Sequence, residues 1–172
     1  MELCEVIRKR RSIRNFTNRR VEQKVIDRII DYFSLAPSSR GIYPTRVFYT
    51  TDRDKIIKLS KSKAHGSQFL EGAPLVFIVG ADASLSDVWI EDASIVATYI
   101  LLAVEDLGLG ATWVQIRKRY DSTGKNSEDF VKDALGVNDE NLRILCLIGI
   151  GYKAEEKPPG DGAEIRKNVF RI

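Results

Sequence analysis

The sequence has few of the residues that metal sites and disulfide frameworks need. Its 172 residues include one histidine, His65, and two cysteines, Cys4 and Cys146. One histidine completes neither a zinc-ligand pattern nor a serine–histidine–aspartate triad, so we expect no metal and no hydrolase activity. The two cysteines lack a Cys-x-x-Cys spacing. Their separation favours free thiols, buried as small hydrophobes in a reducing compartment, and therefore predicts a cytoplasmic location.

Long apolar runs are also missing. The longest, residues 94–104, is about half the length that a membrane span needs, and Asp92 and Glu105 lie just outside it. Residues 1–11 carry charge where a secretion signal would have its apolar segment, so we expect neither a membrane segment nor a signal. With 44% apolar and 30% charged residues the chain has a globular composition. At this length one core suffices, which predicts a single domain over residues 1–172.

Positive charge is concentrated at the start of the chain. The net charge is +3, yet residues 1–20 hold seven Lys/Arg against two Glu, a local excess of +5. Such a run is typical of a solvated face, of a nucleic-acid patch that releases counterions from phosphates, or of a site for a compact phosphate ligand. Charge alone leaves these three interpretations open.

Hydrophobic periodicity predicts alternating helices and strands. Apolar residues recur at helical spacing, which predicts helices over residues 2–9, 22–35, 55–60, 88–107 and 127–135, the last capped by Ser127. Strands are predicted over residues 46–51, 74–81, 111–116 and 142–150, and the continuous apolar runs at 74–81 and 142–150 indicate burial on both faces. Alternation of this kind favours a layered arrangement of helices on a sheet, and a mixed sheet over a doubly wound one.

One apparent nucleotide motif does not fit its context. Residues 149–154, GIGYKA, match the dinucleotide fingerprint G-x-G-x-x-A after a strand, but that fingerprint must open a helix. Pro158 and Pro159 follow within two turns and would stop such a helix. We therefore predict that these glycines end a core strand.

The segment RRSIRNF, residues 10–16, interleaves cations with buried-type side chains. An extended segment would direct Arg10, Ser12 and Arg14 to one side and Arg11, Ile13 and Asn15 to the other. The guanidinium fork suits bidentate binding of a phosphate or a carbonyl edge. A phosphate ligand is therefore a candidate for the first of these two sides.

Five segments together resemble the flavin-dependent nitroreductase family, in order and over nearly the whole chain. They are RRSIRNF, then APSSRGIYPTRVFYT, GAPLVFIVGAD, EDASIVATYILLAVEDLGLGATWVQ and CLIGIGYKAEEKPP. The WVQ continuation is similar to a small-sized branch of that family. The resemblance implies an α+β fold in three layers, with a mixed central β-sheet surrounded by helices. It also implies a homodimer whose C-terminal tail extends toward the partner, with FMN at the subunit interface.

The resemblance further implies roles for individual residues. Arg10 would bind the FMN phosphate, and Arg14 would bind the ribityl chain or the N1/O2 edge of the flavin. The backbone of the WVQI segment would pass the N5 and O4 side, and a C-terminal cation, assigned to Lys157 rather than Arg166 or Lys167, would bind the phosphate as well. The full predicted cofactor site comprises Arg10, Arg11, Ser12, Arg14, Pro37, Ser38, Ser39, Gly41, Trp113, Val114, Gln115 and Lys157, with residues 37–39 approaching from the partner subunit.

Three positions depart from the family pattern. The family commonly has Asn two residues after the second serine, followed by Gln-Pro-Trp, where this chain has Gly41 and then Tyr43, Pro44 and Thr45. Loss of the Asn removes one side-chain hydrogen bond to the flavin. Tyr43 is the predicted substrate contact, whereas Trp89, Trp113 and Tyr99 are more typical of core or interface positions. His65 lies in a polar stretch that predicts a surface loop.

The expected function is an FMN-dependent oxidoreductase that transfers a hydride from NADH or NADPH to a nitroaromatic, quinone or similar conjugated acceptor, with ping-pong kinetics. No side chain need be a catalytic acid or base, because the chemistry takes place on the flavin. One alternative is a non-catalytic FMN-binding protein that stores flavin or senses redox state. The other is a nucleic-acid-binding module, although only Phe16 could supply the stacking that such a module needs.

Overall fold

Two helices, followed by alternating strands and helices, make up six α-helices and four β-strands along residues 2–172, the part of the chain that the computed structural model describes. The helices are α1 (Leu3–Lys9), α2 (Gln23–Ser34), α3 (Arg53–Ser60), α4 (Trp89–Asp106), α5 (Ser127–Leu135) and α6 (Ala163–Arg166). The strands are β1 (Thr45–Thr50), β2 (Leu75–Asp82), β3 (Gly110–Gln115) and β4 (Leu142–Gly151), and single 3-10 turns occur at Ser39–Gly41 and Gln68–Gly72.

All nine predicted helices and strands are present, with their ends shifted by at most two residues. The predicted cap of α5 was wrong by one position. The Asn126 side chain accepts a hydrogen bond from the Glu128 amide at 2.8 Å, while the Ser127 hydroxyl donates to the carbonyl of Ser62. Cys146 is buried as expected, but Cys4 is exposed because it lies on the outer side of α1.

The strands form one sheet in the order β1-β2-β4-β3, and every neighbouring pair is antiparallel. The two strands predicted to be buried, β2 and β4, are the central pair. The expected mixed character is limited to a parallel bridge between Ser12 and Ala111 at the edge of β3. The sheet differs from the expectation because the parallel neighbour of β3 is a short extended segment and not a full strand.

Helices cover both faces of the sheet, which gives the expected three layers. Along β2, Leu75, Phe77 and Val79 pack with α2 and α4, whereas Val76 and Ile78 pack with α3 and α5. Because side chains alternate between the two faces of a strand, a strand covered on both faces is apolar throughout. This arrangement accounts for the uninterrupted apolar run at 75–81.

The long helix α4 lies in the core, as its apolar circumference predicted. Two carboxylates on it are nevertheless buried, Asp92 and Glu105. Glu105 accepts two hydrogen bonds from the Lys153 ammonium, at 2.7 and 2.8 Å, whereas Asp92 contacts the loop that precedes β1. None of the helices in residues 2–172 combines the length and hydropathy that a bilayer-spanning segment needs.

Candidate functional site

Residues 10–16, here called the basic segment, are attached to the sheet through β3. The Ile13 amide donates to the carbonyl of Ala111 at 3.0 Å, and the Thr112 hydroxyl donates to the carbonyl of Ile13 at 2.5 Å. Ile13 is 2% exposed. A Cβ atom on Gly110 would lie 2.8 Å from the Cβ of Ile13, so glycine at this position permits the close approach. The segment therefore extends the sheet beyond its edge strand.

The chain that follows β4 holds the other side of the basic segment. The Ala154 amide donates to the carbonyl of Asn15 at 3.0 Å. The Glu155 carboxylate accepts hydrogen bonds from the amides of Arg14 and Asn15, at 2.6 and 3.2 Å. These main-chain donors, the Arg14 amide above all, together with the nearby Lys157 ammonium, lower the pKa of Glu155. The basic segment is thus bonded to both β3 and residues 153–155.

Two predicted cofactor residues meet at this point. The Lys157 ammonium donates to the carbonyl of Ser12 at 2.5 Å and lies 3.4 Å from the Glu155 carboxylate. Arg11 donates from its guanidinium to the carbonyl of Pro158. The alternative cations, Arg166 and Lys167, lie in or next to the exposed helix α6. Lys157 is therefore the C-terminal cation that lies beside the basic segment.

The two remaining arginines of the segment have free head groups. Within residues 2–172, neither Arg10 nor Arg14 makes a hydrogen bond or ion pair through its guanidinium. The Arg14 guanidinium lies 5.9 Å from the centre of the Phe69 ring. On the other side, Arg11, Ile13 and Asn15 are all engaged with the protein, as the alternation predicted. Two unpaired guanidinium groups on one short segment can bind an anion.

The predicted cofactor residues of β3 can offer a ligand their main-chain groups, whereas their side chains are buried or already hydrogen-bonded. Val114 is buried, and the Gln115 amide group accepts from the Trp113 indole at 2.9 Å and donates to the carbonyl of Arg117 at 3.2 Å. The carbonyl of Ala111 points away from β4, toward Ile13. Because strand residues alternate in direction, the main-chain groups of Trp113 and Gln115 point the same way. These groups form no further main-chain hydrogen bond on that side within residues 2–172, so they are an open edge beyond the bridge between Ser12 and Ala111.

The second group of predicted residues lies in residues 37–43, here called the serine loop. The Ser38 hydroxyl donates to one oxygen of the Asp92 carboxylate at 2.9 Å and accepts from the Tyr43 amide at 2.9 Å. The Ser39 amide donates to the other Asp92 oxygen at 2.9 Å. Asp92 was not among the predicted site residues. An acidic residue in the first turn of α4, directly before the uncharged run of residues 93–104, was the signal that could have identified it.

The serine loop also has an unusual backbone. Arg40, Gly41 and Tyr43 have φ values of 55°, 66° and 53°. This left-handed region is costly for residues with a Cβ atom, and Asn and Gly are the types that tolerate it best. Gly41 therefore meets the same backbone requirement that the family's Asn would meet. Only the side-chain amide is lost.

Tyr43, the predicted substrate contact, is 61% exposed at the end of the serine loop. It borders a cavity of about 130 Å³ together with Pro37, Ser38 and Val96. The nearby Arg40 guanidinium pairs with Asp87 at 2.5 Å. Trp89 and Tyr99 pack in or against the core, and His65 lies exposed in a loop as expected.

The structure does not bring the serine loop and the basic segment together within one chain. The serine loop leads into β1 at the end where Thr45 pairs with Ala81, whereas the basic segment joins β3 at Ala111, level with Leu75. Three strand spacings across and six residues along separate these corners by about 25 Å. No hydrogen bond or ion pair joins the two groups in the described part of the chain.

Metal ligation has no candidate here. Across residues 2–172 no group of three or more His, Cys, Asp or Glu side chains is placed to hold a metal ion. The site-forming residues are instead cations, hydroxyls and main-chain groups, which suit an anionic organic ligand.

Comparison with known proteins relates this geometry to a family. The sequence model of the Nitroreductase family matches residues 7–66 and 55–152. A relative from Archaeoglobus fulgidus named "Putative NADH dehydrogenase/NAD(P)H nitroreductase" is 32% identical over 162 residues, which cover 91% of this chain and 89% of that protein. A protein from Bacillus subtilis named FMN reductase [NAD(P)H] is 28% identical over 110 residues, 64% of this chain and 44% of its own.

Solved structures include a close counterpart of the whole fold. An FMN-dependent nitroreductase from Clostridium difficile R20291 is 37% identical and superposes with a TM-score of 0.91. That match covers 97% of this chain and 96% of the other. The similarity therefore extends over both groups of site residues and not only over the core.

Proposed function

Because the chain belongs to the nitroreductase family, we propose that it binds FMN and catalyses NAD(P)H-dependent reduction of a nitroaromatic, a quinone or a similar conjugated acceptor. The observation that carries the proposal is the pair of unpaired guanidinium groups, Arg10 and Arg14, beside the open edge of β3. The relatives named above support the choice of FMN and of a nicotinamide donor.

The residues present fit a flavin nucleotide by their chemistry. A phosphate needs charged donors that the protein has not already neutralised, and Arg10 and Arg14 meet this condition. A flavin ring edge needs hydrogen-bonding groups at fixed positions, and the main chain of Trp113 and Gln115 can provide them. Lys157 supplies a third cation, partly compensated by Glu155.

Each residue then has a proposed role. Arg10 binds the phosphate together with Lys157, and Ser12 supplies a hydroxyl between the two arginines. Arg14 binds the ribityl chain or the N1/O2 edge, where its positive charge stabilises negative charge on the ligand. The main chain of β3 orients the ring. Arg11 donates a hydrogen bond to the carbonyl of Pro158, so it supports the site indirectly, by holding the chain that follows Lys157.

Bound FMN would supply the redox chemistry, accepting a hydride from NADH or NADPH and returning electrons to the second substrate. The chain's own residues bind and orient the reactants and need not transfer a proton. A single ring face serving donor and acceptor in turn would give ping-pong kinetics. Tyr43 lies where its exposed ring could pack against an aromatic acceptor.

The 25 Å between the serine loop and the basic segment supports the further proposal of a homodimer. A cleft built from both groups needs the serine loop of a second copy, because one chain holds them at opposite corners of its sheet. The C-terminal tail offers a contact for that copy, since Ile165, Val169, Phe170 and Ile172 are all exposed. We propose that this tail packs on the partner. The single domain and the cytoplasmic location remain predictions.

The first test is whether the purified protein binds FMN and turns over. We expect a yellow protein whose flavin absorbance bleaches on mixing with NADH or NADPH under anaerobic conditions and recovers when a quinone is added. Sedimentation should give a dimer. A protein that binds FMN but is not reduced would favour the flavin-storage alternative, and one that ignores FMN but binds DNA with a steep salt dependence would favour the nucleic-acid alternative.

The second test separates specific binding from net charge. Arg14→Ala should raise the FMN dissociation constant by about 10- to 100-fold, the usual effect of losing a charged hydrogen bond. Arg20→Ala is the matched control, since it removes the same charge from a side chain that forms no hydrogen bond or ion pair in the described part of the chain. Equal effects of the two substitutions would contradict the assignment of Arg14.

A further inference from the structure

We infer that Asp92 is a positioning residue for the cofactor cleft, and that the two serines of the serine loop have different tasks. Ser38 fixes the loop, and Ser39 presents the free hydroxyl to the ligand. The inference rests on the proposed function, because it assumes that the serine loop of one copy borders the FMN held by the other.

The Ser38 hydroxyl has no proton left to donate to a ligand. A serine hydroxyl has one proton, and that of Ser38 is directed to the Asp92 carboxylate at 2.9 Å. The same oxygen accepts from the Tyr43 amide, which spans the loop from one end to the other. Ser38 therefore acts inside the loop and not toward a ligand.

Ser39 has the opposite arrangement. Its main-chain amide donates to Asp92 at 2.9 Å, while its hydroxyl forms no hydrogen bond within residues 2–172. Ser39 is only half-buried, so that hydroxyl remains accessible. Because the Asp92 bond fixes the backbone of Ser39, it also fixes the Cα–Cβ bond from which the hydroxyl projects.

Asp92 is suited to hold a strained loop. It is 2% exposed in the first turn of α4, where the helix N-terminus stabilises a negative charge, and no cation pairs with it in the described part of the chain. Both carboxylate oxygens are used on the serine loop. Left-handed conformations at Arg40 and Tyr43 persist only where the surroundings determine them, and such strain is typical of functional loops.

The experiment compares four substitutions. They are Asp92→Asn, Ser38→Ala, Ser39→Ala and, as a matched control, Glu91→Gln, which removes the neighbouring exposed carboxylate of α4, a group that forms no hydrogen bond or ion pair within residues 2–172. Three quantities are measured: amide hydrogen exchange at Ser39 and Tyr43 in the FMN-free protein, its thermal unfolding midpoint, and the FMN dissociation constant.

We expect Asp92→Asn and Ser38→Ala to accelerate exchange at both amides, to lower the midpoint, and to raise the FMN dissociation constant by about tenfold. Their double variant should be no worse than Asp92→Asn alone, since both break one chain of bonds. Ser39→Ala should raise the dissociation constant by a similar factor with exchange and midpoint unchanged. Glu91→Gln should change the dissociation constant by no more than about twofold and should leave amide exchange and the midpoint unchanged.

Three results would overturn the inference. In the first, Asp92→Asn leaves the exchange of the Ser39 and Tyr43 amides unchanged. Asp92 then does not hold the serine loop, whether or not FMN binds. In the second, Ser39→Ala has no effect on FMN binding, and Ser39 is not the ligand's donor. In the third, the unmodified protein binds no FMN, so the proposed function and the role of Ser39 both fail. The amide-exchange result for Asp92→Asn would still report separately whether Asp92 holds the serine loop.

Discussion

The basic segment and the serine loop, the two halves of the proposed cleft, are held by different kinds of interaction. The basic segment is bonded through its main chain to β3 on one side and to residues 153–155 on the other, with Ile13 in the core. The serine loop is held by the buried Asp92 carboxylate, by the Ser38 hydroxyl and by an exposed ion pair between Arg40 and Asp87. The first half is therefore part of the folded sheet, whereas the second is a loop attached to it.

This difference predicts how each half responds to change. Damage to the basic segment should reduce global stability and ligand binding together, because the same contacts support both. Damage to the serine loop should alter binding with a smaller effect on stability, because loops open locally without unfolding the core. The predictions below test this contrast, beginning with the largest expected effect.

Ile13→Ala should have the largest effect. Removing a fully buried side chain of this size costs about 2–5 kcal/mol of unfolding free energy, and here it also loosens the attachment of Arg10 and Arg14. Chemical denaturation and FMN titration should therefore both show losses. Ile7→Ala on α1 is the control, because Ile7 is 54% exposed and its truncation should change neither quantity appreciably. Normal stability with weak FMN binding in Ile13→Ala would break the contrast.

Gly41→Ala should have an intermediate effect that falls mainly on binding. A Cβ at Gly41 would meet no atom within 4 Å, so the cost of about 1–2 kcal/mol comes from the left-handed backbone alone. Gly41→Asn should cost less, because Asn tolerates this conformation, and its amide should strengthen FMN binding. Gly124→Ala is the control: Gly124 has a φ of 85° and open space around it, in a turn far from the serine loop.

The outcome for Gly124→Ala sharpens this test. It should lower stability by a similar amount and leave the FMN dissociation constant unchanged. If Gly41→Ala and Gly124→Ala affected FMN binding equally, the serine loop would not be part of the cleft.

Much of this architecture could be predicted from the sequence because it follows from periodicity. The central position of β2 was evident from its apolar run, and the alternation of Arg10, Ser12 and Arg14 against Ile13 from the two-residue period of an extended chain. The roles of Asp92 and Glu155 could not be predicted in this way. Each acts on residues more than 50 positions away, so no local pattern connects them.

The antiparallel sheet and the cap of α5 were missed for related reasons. Strand direction depends on how the connections run in space, which apolar runs do not encode. Asn126 and Ser127 are adjacent and both are good capping residues, and only the tertiary contact of Ser127 with Ser62 decides between them. The local sequence therefore predicted helix α5 correctly but assigned its N-terminal cap to the wrong residue.

Glu155→Gln should have the smallest effect at neutral pH, and its value lies in the pH dependence. The folded protein lowers the pKa of Glu155 below 4.5, chiefly through the Arg14 amide, so the charged form stabilises the fold above that pH. This contribution is lost as the pH falls from 4.5 through the lower folded pKa. The unfolding midpoints of the unmodified protein and Glu155→Gln should therefore differ at pH 7 and converge in acid.

Glu156→Gln is the control for that series, since Glu156 is exposed and forms no hydrogen bond or ion pair within residues 2–172. Its midpoint should follow that of the unmodified protein at every pH. FMN affinity should decline in Glu155→Gln in parallel with the midpoint, because Glu155 supports the backbone that carries Arg14. A loss of FMN affinity with no change in midpoint would mean that the basic segment, like the serine loop, affects binding independently of global stability. The contrast between the two halves would then be wrong.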